Sequence, residues 1–262
     1  MSLEVVTQEP IGSPKPHEIL FVHGLWHAAW YWQVNFMPYF AERGYRTHAV
    51  SLRGHGGSNG SQKINWVSLA DYVEDVSEVV DGMEKTPVLV GHSAGGAIIQ
   101  KYLEHNDAPA AVLLASMPSI GAMPCTIRFA LRHPGAFIKT NLTLNLRHII
   151  GTHDLYQEAM FSDKLPREKL RDYYSRTQKE SYRVFLDMVI LNLSRPRKVS
   201  KKILVIGSSN DGFFTTQEYE KTAQAYNADL EIFEGIGHMM PLDVGWEAVA
   251  DRMITWIDSN VQ

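Results

Sequence analysis

The sequence predicts an α/β protein with a mostly parallel, doubly wound sheet and one inserted helical cap. Short apolar runs typical of buried strands alternate with helical patterns along residues 1–117 and again along residues 199–262. Residues 118–198 contain helical stretches and no convincing strand. Alternating strands and helices form a parallel sheet with helices on both faces. We therefore expect a core of residues 1–117 and 199–262 and a helical cap of residues 118–198.

The first part of the chain contains five predicted strands and three predicted helices. Apolar residues at helical spacing predict one helix from Trp30 to Arg43, with Gly44 as its C-cap. Ser68 is the predicted N-cap of a helix that runs to about Glu84. The predicted strands are residues 3–8, 18–22, 46–52, 88–91 and 110–115, and the third helix runs from the segment after Ser93 to about His105.

The predicted cap starts where a strand ends. Open α/β sheets bind their ligands at the carboxyl ends of their strands, so the cap is expected to cover a binding site. It is rich in flexible and aromatic apolar residues, namely Met123, Met160, Met188, Phe129, Phe137, Phe161 and Phe185. After the cap, residues 201–207 and 230–233 are predicted strands, and residues 218–227 and 244–261 are predicted helices.

Composition excludes several classes of protein. The 262 residues carry 25 basic and 29 acidic side chains, well mixed, so no basic stripe predicts a nucleic-acid partner. No apolar run approaches ~18 residues and no polybasic segment occurs, so we expect no membrane association. The amino terminus lacks the pattern of a secretory signal, and the single cysteine, Cys125, excludes an internal disulfide. These features predict a cytoplasmic protein; no feature predicts an oligomeric state.

A serine between glycines follows the fourth predicted strand. Gly91-His92-Ser93-Ala94-Gly95 separates the apolar strand Val88–Val90 from a helical pattern. This is Gly-x-Ser-x-Gly in strand–turn–helix context, the arrangement that presents a nucleophilic serine on a sharp turn. The two glycines suit the turn because residues near a tight, strained bend have little room for a side chain. We expect Ser93 to be the nucleophile.

A serine hydroxyl needs a base, and the base needs an orienting carboxylate. The best base is His238, in a glycine-flanked loop before the last helix. The best carboxylate is Asp211, after the strand of residues 201–207. The chain order Ser93, Asp211, His238 is the one expected for a sheet of this kind. The rival acids are Asp187 in the cap, Asp229 before a strand, and Asp243, which is expected to cap the last helix.

An oxyanion hole requires two hydrogen-bond donors. The Ala94 amide, directly after the nucleophile, is one candidate. The second is the Leu25 amide in His23-Gly24-Leu25-Trp26, the loop that follows the strand of residues 18–22.

Together these motifs resemble the α/β-hydrolase superfamily over nearly the full length of the chain. The resemblance rests on the His23–Trp26 loop, the glycine-rich loop Arg53–Ser58, the Ser93 motif, the Asp211 loop and Gly237-His238. It implies an α/β-hydrolase fold, Ser93, Asp211 and His238 as the catalytic residues, and Leu25 and Ala94 as oxyanion donors. The short amino terminus departs from the superfamily pattern and implies a smaller sheet.

The tryptophan-rich stretch from His23 to Trp32 is similar to plant methylesterases and hydroxynitrile lyases. The lyases place a lysine beside the catalytic histidine, whereas Met239 follows His238 here. Epoxide hydrolases and dehalogenases use an aspartate as nucleophile, so Ser93 argues against both.

The expected partner is therefore a small-molecule ester of small to medium apolar character. Thioesterase, acyl-lactone hydrolase and C–C bond hydrolase remain open with the same three residues, as does a ligand receptor without catalysis. No cofactor or metal is expected, because no dinucleotide fingerprint occurs and His23 and His27 lack the glutamate of a zinc-protease motif. The expected substrate-binding residues are Trp26, Met117, Met123, Met160, Phe161 and Met239.

Overall fold

A computed structural model describes residues 2–261, which are arranged around one seven-stranded sheet. The strands are β1 (Glu4–Gln8), β2 (Ile19–Val22), β3 (Thr47–Ser51), β4 (Val88–His92), β5 (Ala111–Leu114), β6 (Ile203–Ser208) and β7 (Asp229–Phe233). Their order is β1-β3-β2-β4-β5-β6-β7, with β1 antiparallel to β3 and all other neighbours parallel. The predicted mostly parallel sheet is confirmed, and each of the seven predicted strands is present.

Helices cover both faces of the sheet. They are α1 (Trp30–Val34), α2 (Phe36–Glu42), α3 (Leu69–Asp81), α4 (Ala94–Tyr102), α5 (Met123–Arg132), α6 (Pro134–Thr143), α7 (His153–Met160), α8 (Arg167–Ser175), α9 (Tyr182–Leu186), α10 (Thr216–Tyr226) and α11 (Trp246–Asn260). Short 3₁₀ turns lie at Ser61–Trp66, Leu146–Ile150 and Pro196–Lys198, and a π turn lies at Asp187–Leu191. None of the helices within residues 2–261 has both the length and the apolar character needed to cross a bilayer.

The apolar sequences of the central strands follow from burial on both faces. Every residue of β2 is buried. Ile19 and Phe21 pack with the helices α1, α2 and α11, whereas Leu20 and Val22 pack with α3, α4 and α10. A strand covered on both sides needs an apolar residue at every position, which is why these runs do not alternate with polar residues. β1 lies at the edge, where half-buried and exposed residues alternate.

The segment between β5 and β6 contains α5 to α9 and, within the described residues, no strand. It begins at the carboxyl end of β5, as expected. The division into a core of residues 1–117 and 199–262 and a cap of residues 118–198 stays a prediction. We refer to residues 118–198 below as the insertion.

The helix predicted from Trp30 to Arg43 is interrupted, which corrects the sequence prediction. Asn35, at φ −131° and ψ −57°, separates α1 from α2. Pro38 explains the break, because proline has no N–H to donate to the carbonyl of Val34 and its ring crowds that carbonyl. Gly44 adopts φ +85° just after α2, in the left-handed conformation typical of a helix end.

The other helix ends differ only slightly from the prediction. Ser68 caps α3 through a reciprocal pair of hydrogen bonds with Asp71, as expected of a capping box, but the helix ends at Asp81 rather than near Glu84. The last helix begins after Gly245, at φ +96°. Asp243 is therefore not its N-cap, contrary to the prediction.

Candidate active site

Ser93 lies on a strained turn between β4 and α4. Its backbone adopts φ 55° and ψ −119°, a conformation that is rare for a residue with a side chain. The two glycines of the motif make the turn possible. A Cβ on Gly91 would lie 2.5 Å from the Gly95 carbonyl oxygen, and a Cβ on Gly95 would overlap the Val22 carbonyl oxygen. Only glycine therefore fits at positions 91 and 95.

Ser93, His238 and Asp211 form a continuous hydrogen-bonded chain. His238 Nε2 lies 2.9 Å from Ser93 Oγ, and His238 Nδ1 lies 2.7 Å from Asp211 Oδ2. When Nδ1 carries the proton and donates it to the carboxylate, Nε2 is free to accept the serine proton. The side chains of His238 and Asp211 are almost fully buried. The structure thus brings together the three residues that the sequence predicts as catalytic.

Asp211 is held by its own loop. Its Oδ1 accepts from the amides of Phe213 and Phe214 at 2.7 and 2.9 Å, and its Oδ2 accepts from the Tyr219 hydroxyl at 2.5 Å as well as from His238. Burial, together with the carboxylate of Asp211, holds the pKa of Tyr219 well above its usual value, so the phenol stays a donor. The carboxylate therefore has a single orientation, aimed at the imidazole.

The loop that carries His238 is held from two sides. Asp243 Oδ2 accepts from the Gly237 amide at 2.6 Å and from the Ser162 amide at 2.8 Å. Underneath, His92 Nε2 donates to the His238 carbonyl at 2.9 Å. Burial holds the pKa of His92 well below its usual value, so this histidine is neutral. Asp243 thus fixes the loop that contains the base, which the sequence did not indicate.

None of the three rival acids reaches the imidazole of His238 in the structure. Asp187 accepts from the Leu69 amide and from Arg183. Asp229 accepts from the indole of Trp256. Asp243 binds the backbone of the His238 loop, as described above.

The two predicted oxyanion donors lie beside the serine with free amides. Within residues 2–261, neither the Leu25 amide nor the Ala94 amide has a hydrogen-bond acceptor. Ala94 opens α4, so the positive end of the helix dipole is directed to the same place. A Cβ on Gly24 would lie only 2.8 Å from Ser93 Cβ, which shows how closely this loop approaches the serine.

The peptide that presents the Leu25 amide is oriented by His23. His23 Nδ1 donates to the Gly24 carbonyl at 2.8 Å, and the Leu52 amide donates to His23 Nε2 at 3.0 Å. Both bonds require the neutral Nδ1–H form. Burial lowers the pKa of His23 to about 3, which keeps it in that form.

The insertion holds the next residue of the same loop. Trp26 adopts φ 65°, its amide donates to Glu180 Oε2 at 3.2 Å, and its carbonyl accepts from the Gln178 amide at 2.8 Å. Glu180 is buried and also accepts from the Tyr72 hydroxyl at 2.8 Å and pairs with His55 at 3.2 Å. Glu180 was not predicted, because it lies in the polar stretch of residues 175–181 and no local pattern distinguishes it from exposed neighbours.

An apolar cavity adjoins Ser93. Together with the open solvent at its mouth, it comprises about 640 Å³ free of protein atoms. Trp26 and Met117, two of the residues predicted to bind substrate, line it together with Leu25 and Phe213. The ring of Phe213 also packs against His238, with a centroid separation of 4.9 Å. The serine hydroxyl is therefore open to an apolar compartment.

The insertion supplies the other side of the cavity. Phe129, Phe137, Phe185 and Met188 line it, all from the apolar set noted in the sequence. Phe213 and Phe214 were not predicted, although their position two and three residues after Asp211 was a signal that they would lie near the imidazole.

Four predicted substrate-binding residues do not line this cavity, which is a correction. Met239 is buried in the core, and its amide donates to the Met160 carbonyl at 2.7 Å. Met160 and Phe161 are buried in the same apolar cluster, where Phe161 stacks on Tyr173. Met123 is 39% exposed at the start of α5. Met160, Phe161 and Met239 are buried, as their apolar character suggests, but they pack elsewhere in the core and not in the cavity beside Ser93.

Within residues 2–261, no three histidine, cysteine, aspartate or glutamate side chains are grouped so that they could hold a metal ion. The groups that adjoin one another at the site are a serine hydroxyl, an imidazole and a carboxylate beside two free amides, an arrangement that can activate a hydroxyl for nucleophilic attack.

Comparison with known proteins identifies the family. Residues 19–252 match the profile of the alpha/beta hydrolase family, and this range is most of the chain. The protein therefore belongs to the alpha/beta hydrolase family, as the resemblance in the sequence indicated. Among solved structures, it is similar to a thermophilic esterase from Thermogutta terrifontis, with a TM-score of 0.77, 15% identity, and coverage of 99% of this chain and 94% of the esterase.

Two curated relatives are similar over shorter regions. Methylesterase 10 of Arabidopsis thaliana is 29% identical over 144 residues, which cover 45% of this chain and 51% of the plant protein. The pyrethroid hydrolase of Sphingobium wenxiniae is 34% identical over 98 residues, which cover 37% of this chain and 34% of that enzyme. The matches thus span about half of the first relative and a third of the second.

Proposed function

We propose that this protein is a serine hydrolase that cleaves the carboxylic ester of a small to medium apolar substrate through an acyl-enzyme on Ser93. The observation that carries the proposal is the hydrogen-bonded chain from Ser93 Oγ through His238 to Asp211, at 2.9 and 2.7 Å, beside an apolar cavity. Each atom of this chain is in the position that general-base activation of a hydroxyl requires.

Acylation begins when Ser93 Oγ attacks the ester carbonyl and transfers its proton to His238 Nε2. Asp211 stabilises the resulting imidazolium through Nδ1. The negative oxygen of the tetrahedral intermediate is bound by the amides of Leu25 and Ala94. Collapse of the intermediate breaks the ester C–O bond, and His238 gives its proton to the departing alcohol.

Deacylation repeats these steps with water. His238 takes a proton from a water molecule, which attacks the acyl carbon, and the carboxylic acid leaves as Ser93 Oγ recovers the proton. The base must be neutral at the start of both steps. The near-complete burial of His238 beside Phe213 and Phe214 protects this proton transfer from bulk water.

The cavity and the relatives support an ester as the substrate class. The aromatic and aliphatic lining favours a hydrocarbon acyl or alcohol group over a charged one. A methylesterase and a pyrethroid hydrolase are among the relatives, and both names agree with hydrolysis. The same three residues would also act on a thioester, an acylated lactone or an activated C–C bond, so the test includes those substrates.

The test combines covalent labelling with turnover. A fluorophosphonate probe should label wild-type protein at Ser93, and p-nitrophenyl esters of graded acyl length should be hydrolysed. Ser93→Ala should lose the label and at least ~10³-fold of turnover, because no acyl-enzyme can form. Ser175→Ala, at an exposed serine at the end of α8, is the matched control.

The outcomes separate the alternatives. Hydrolysis by Ser93→Ala at near wild-type rates would exclude the nucleophile. Preference for thioesters, acyl-lactones or C–C substrates over esters would change the substrate class but keep the mechanism. A folded wild-type protein that neither reacts with the probe nor turns over any substrate would favour a ligand receptor.

A further inference from the structure

Thr140 has an unusual position in α6. A threonine inside a helix commonly donates its hydroxyl to the carbonyl four residues earlier. Thr143 of the same helix does so, bonding the Lys139 carbonyl at 2.7 Å. Thr140 is only 1% exposed, lines the cavity beside Ser93, and its Oγ1 has no hydrogen-bond partner. Its hydroxyl is thus buried without the partner that its neighbour one turn away uses.

Trp26, which lines the same cavity, also has an unpartnered polar atom. Its side chain is 4% exposed and stacks on Phe213, yet its Nε1–H has no acceptor. Of the side chains within residues 2–261 that hold a buried unpartnered polar atom, Trp26 and Thr140 are the two that line the cavity. One comes from the loop after β2 and the other from the insertion.

The three other polar side chains of the lining already have partners. Thr126 forms a side-chain hydrogen bond with Cys125. Ser93 Oγ bonds His238, and the Cys125 thiol donates to the Ala122 carbonyl at 3.1 Å. Buried donors without acceptors are unfavourable, and native structures retain few of them without a reason. A ligand that brings an acceptor into the cavity removes this penalty.

The chemistry of the two groups defines that acceptor. An indole N–H only donates, and a threonine hydroxyl can donate to the same kind of atom. A carbonyl oxygen has two lone pairs and can accept from both, whereas a purely hydrocarbon group leaves both donors unpaired.

We infer that the substrate carries, apart from the ester that is cleaved, a second carbonyl-type oxygen in its apolar part, and that Trp26 and Thr140 bind it. This inference rests on the proposed ester hydrolysis and narrows its substrate class. The substrate is a keto or amide ester rather than a plain alkyl ester.

The test compares esters that differ by one oxygen. p-Nitrophenyl octanoate and analogues with a keto group placed at successive carbons of the acyl chain probe the acyl side. Octyl acetate and keto-octyl acetates, followed in a pH-stat, probe the alcohol side. The measured quantity is kcat/KM of each keto ester divided by that of its parent, determined separately for every variant so that general effects cancel.

The variants isolate the two donors. Thr140→Val removes the hydroxyl at nearly constant shape, Thr140→Ser keeps it, and Trp26→Phe removes the indole N–H. Thr143→Val is the matched control, because its hydroxyl is exposed and bonded within the helix.

In the wild type, we expect one position of the keto group to give a kcat/KM ratio, keto ester to parent ester, of about one or more. A keto group that found no hydrogen-bond donor in the apolar cavity would instead lower this ratio below one. That ratio should fall about 10-fold in Thr140→Val and in Trp26→Phe, and should survive in Thr140→Ser and Thr143→Val. The inference is overturned if every keto ester is slower than its parent in the wild type, or if either Thr140→Val or Trp26→Phe leaves the best ratio unchanged.

Failure of this inference is distinguishable from failure of the proposed function. If parent esters are hydrolysed in a Ser93-dependent way but the ratios do not respond, the protein is an esterase without this subsite. If no ester of either set is hydrolysed and the fluorophosphonate does not label Ser93, the proposed function itself is wrong and the subsite falls with it.

Discussion

At the scale of single residues, Ser93 and Asp211 show two ways of preparing a side chain for chemistry. Ser93 is placed by backbone strain, at φ 55°, which the fixed ends of β4 and α4 maintain. Asp211 is placed by hydrogen bonds, because four donors surround its two oxygens. Neither side chain needs to reorient before the proton moves, which lowers the cost of reaching the transition state.

Asp211→Asn should preserve the fold but reduce kcat by roughly 10³- to 10⁴-fold. An amide can accept from the backbone, but it cannot stabilise an imidazolium or hold the histidine in the Nδ1–H form. Circular dichroism and ester kinetics would check both parts.

The control for this substitution is Asp229→Asn, since that carboxylate bonds Trp256 and does not contact His238. A similar loss in Asp229→Asn, or a kcat of Asp211→Asn within a factor of ten of the wild type, would contradict the assignment of Asp211.

At the scale of elements, the insertion does more than line the cavity. Trp26 is the residue after the proposed oxyanion donor. Its amide donates to the Glu180 carboxylate, and its carbonyl accepts from the Gln178 amide. Glu180 also pairs with His55 from the glycine-rich loop. Burial raises the pKa of Glu180, but the pairing with His55 and the hydrogen bonds that the carboxylate accepts outweigh burial and hold that pKa below its usual value. A carboxylate that is buried and ionised can orient several donors at once.

Glu180→Gln should lower kcat about 10-fold and change KM much less. The uncharged side chain cannot satisfy the donors of Trp26, Tyr72 and His55 together, so the loop that presents Leu25 loses its fixed position. Steady-state kinetics would measure the effect, with Glu168→Gln on the exposed side of α8 as the control. A change in KM alone would show that Glu180 affects substrate binding rather than the oxyanion loop.

Two glycines at the starts of helices give a contrast in packing. A Cβ on Gly95, in the first turn of α4, would overlap the backbone carbonyl of Val22, whereas a Cβ on Gly135, in α6, would have no atom within 4 Å. Gly95→Ala should therefore destabilise the protein by at least about 2 kcal/mol and abolish turnover. Gly135→Ala should be neutral or stabilise by about 0.5 kcal/mol.

Urea unfolding of both glycine variants, with ester turnover measured beside it, tests this contrast. A stable and active Gly95→Ala protein would show that the turn around Ser93 can relax.

At the scale of the whole molecule, several histidines are buried in neutral form around the site. Burial lowers the pKa of His23 to about 3 and of His27 to about 4, and it holds that of His92 well below its usual value. The unfolded chain binds protons at these positions below pH ~6.5, whereas the folded protein does not. Folding stability should therefore fall as the pH is lowered from about 6.5 towards 4.

His27→Gln should make this loss of stability less steep. Between pH 6.5 and about 4, the unfolded state of the wild type gains one proton at His27 that the folded state lacks, which is worth up to about 1.4 kcal/mol per pH unit. Urea unfolding at several pH values would measure the slopes, with His105→Gln at an exposed position as the control. Parallel slopes for wild type and His27→Gln would refute the neutral, buried state of His27.

The sequence predicted the sheet and the three proposed catalytic residues because both depend on local patterns. Apolar runs mark buried strands, and glycines mark the turns at Ser93 and His238. Chain order then directs Asp211 and His238 to the same edge of a parallel sheet. Helix boundaries were less accurate, as at Asn35, where a proline three residues later breaks the helical pattern.

The sequence by itself determined which strand each proposed catalytic residue follows. A serine follows β4, an acid follows β6 and a histidine follows β7, each in a loop at the carboxyl edge of the sheet. Only the tertiary structure decided which apolar side chains line the cavity beside Ser93, that Glu180 binds the Trp26 amide next to the proposed oxyanion donor, and that Trp26 and Thr140 have unpartnered donors. The physical reason is that strands and turns follow from neighbours in the chain, whereas the direction of a buried side chain follows from packing between distant segments.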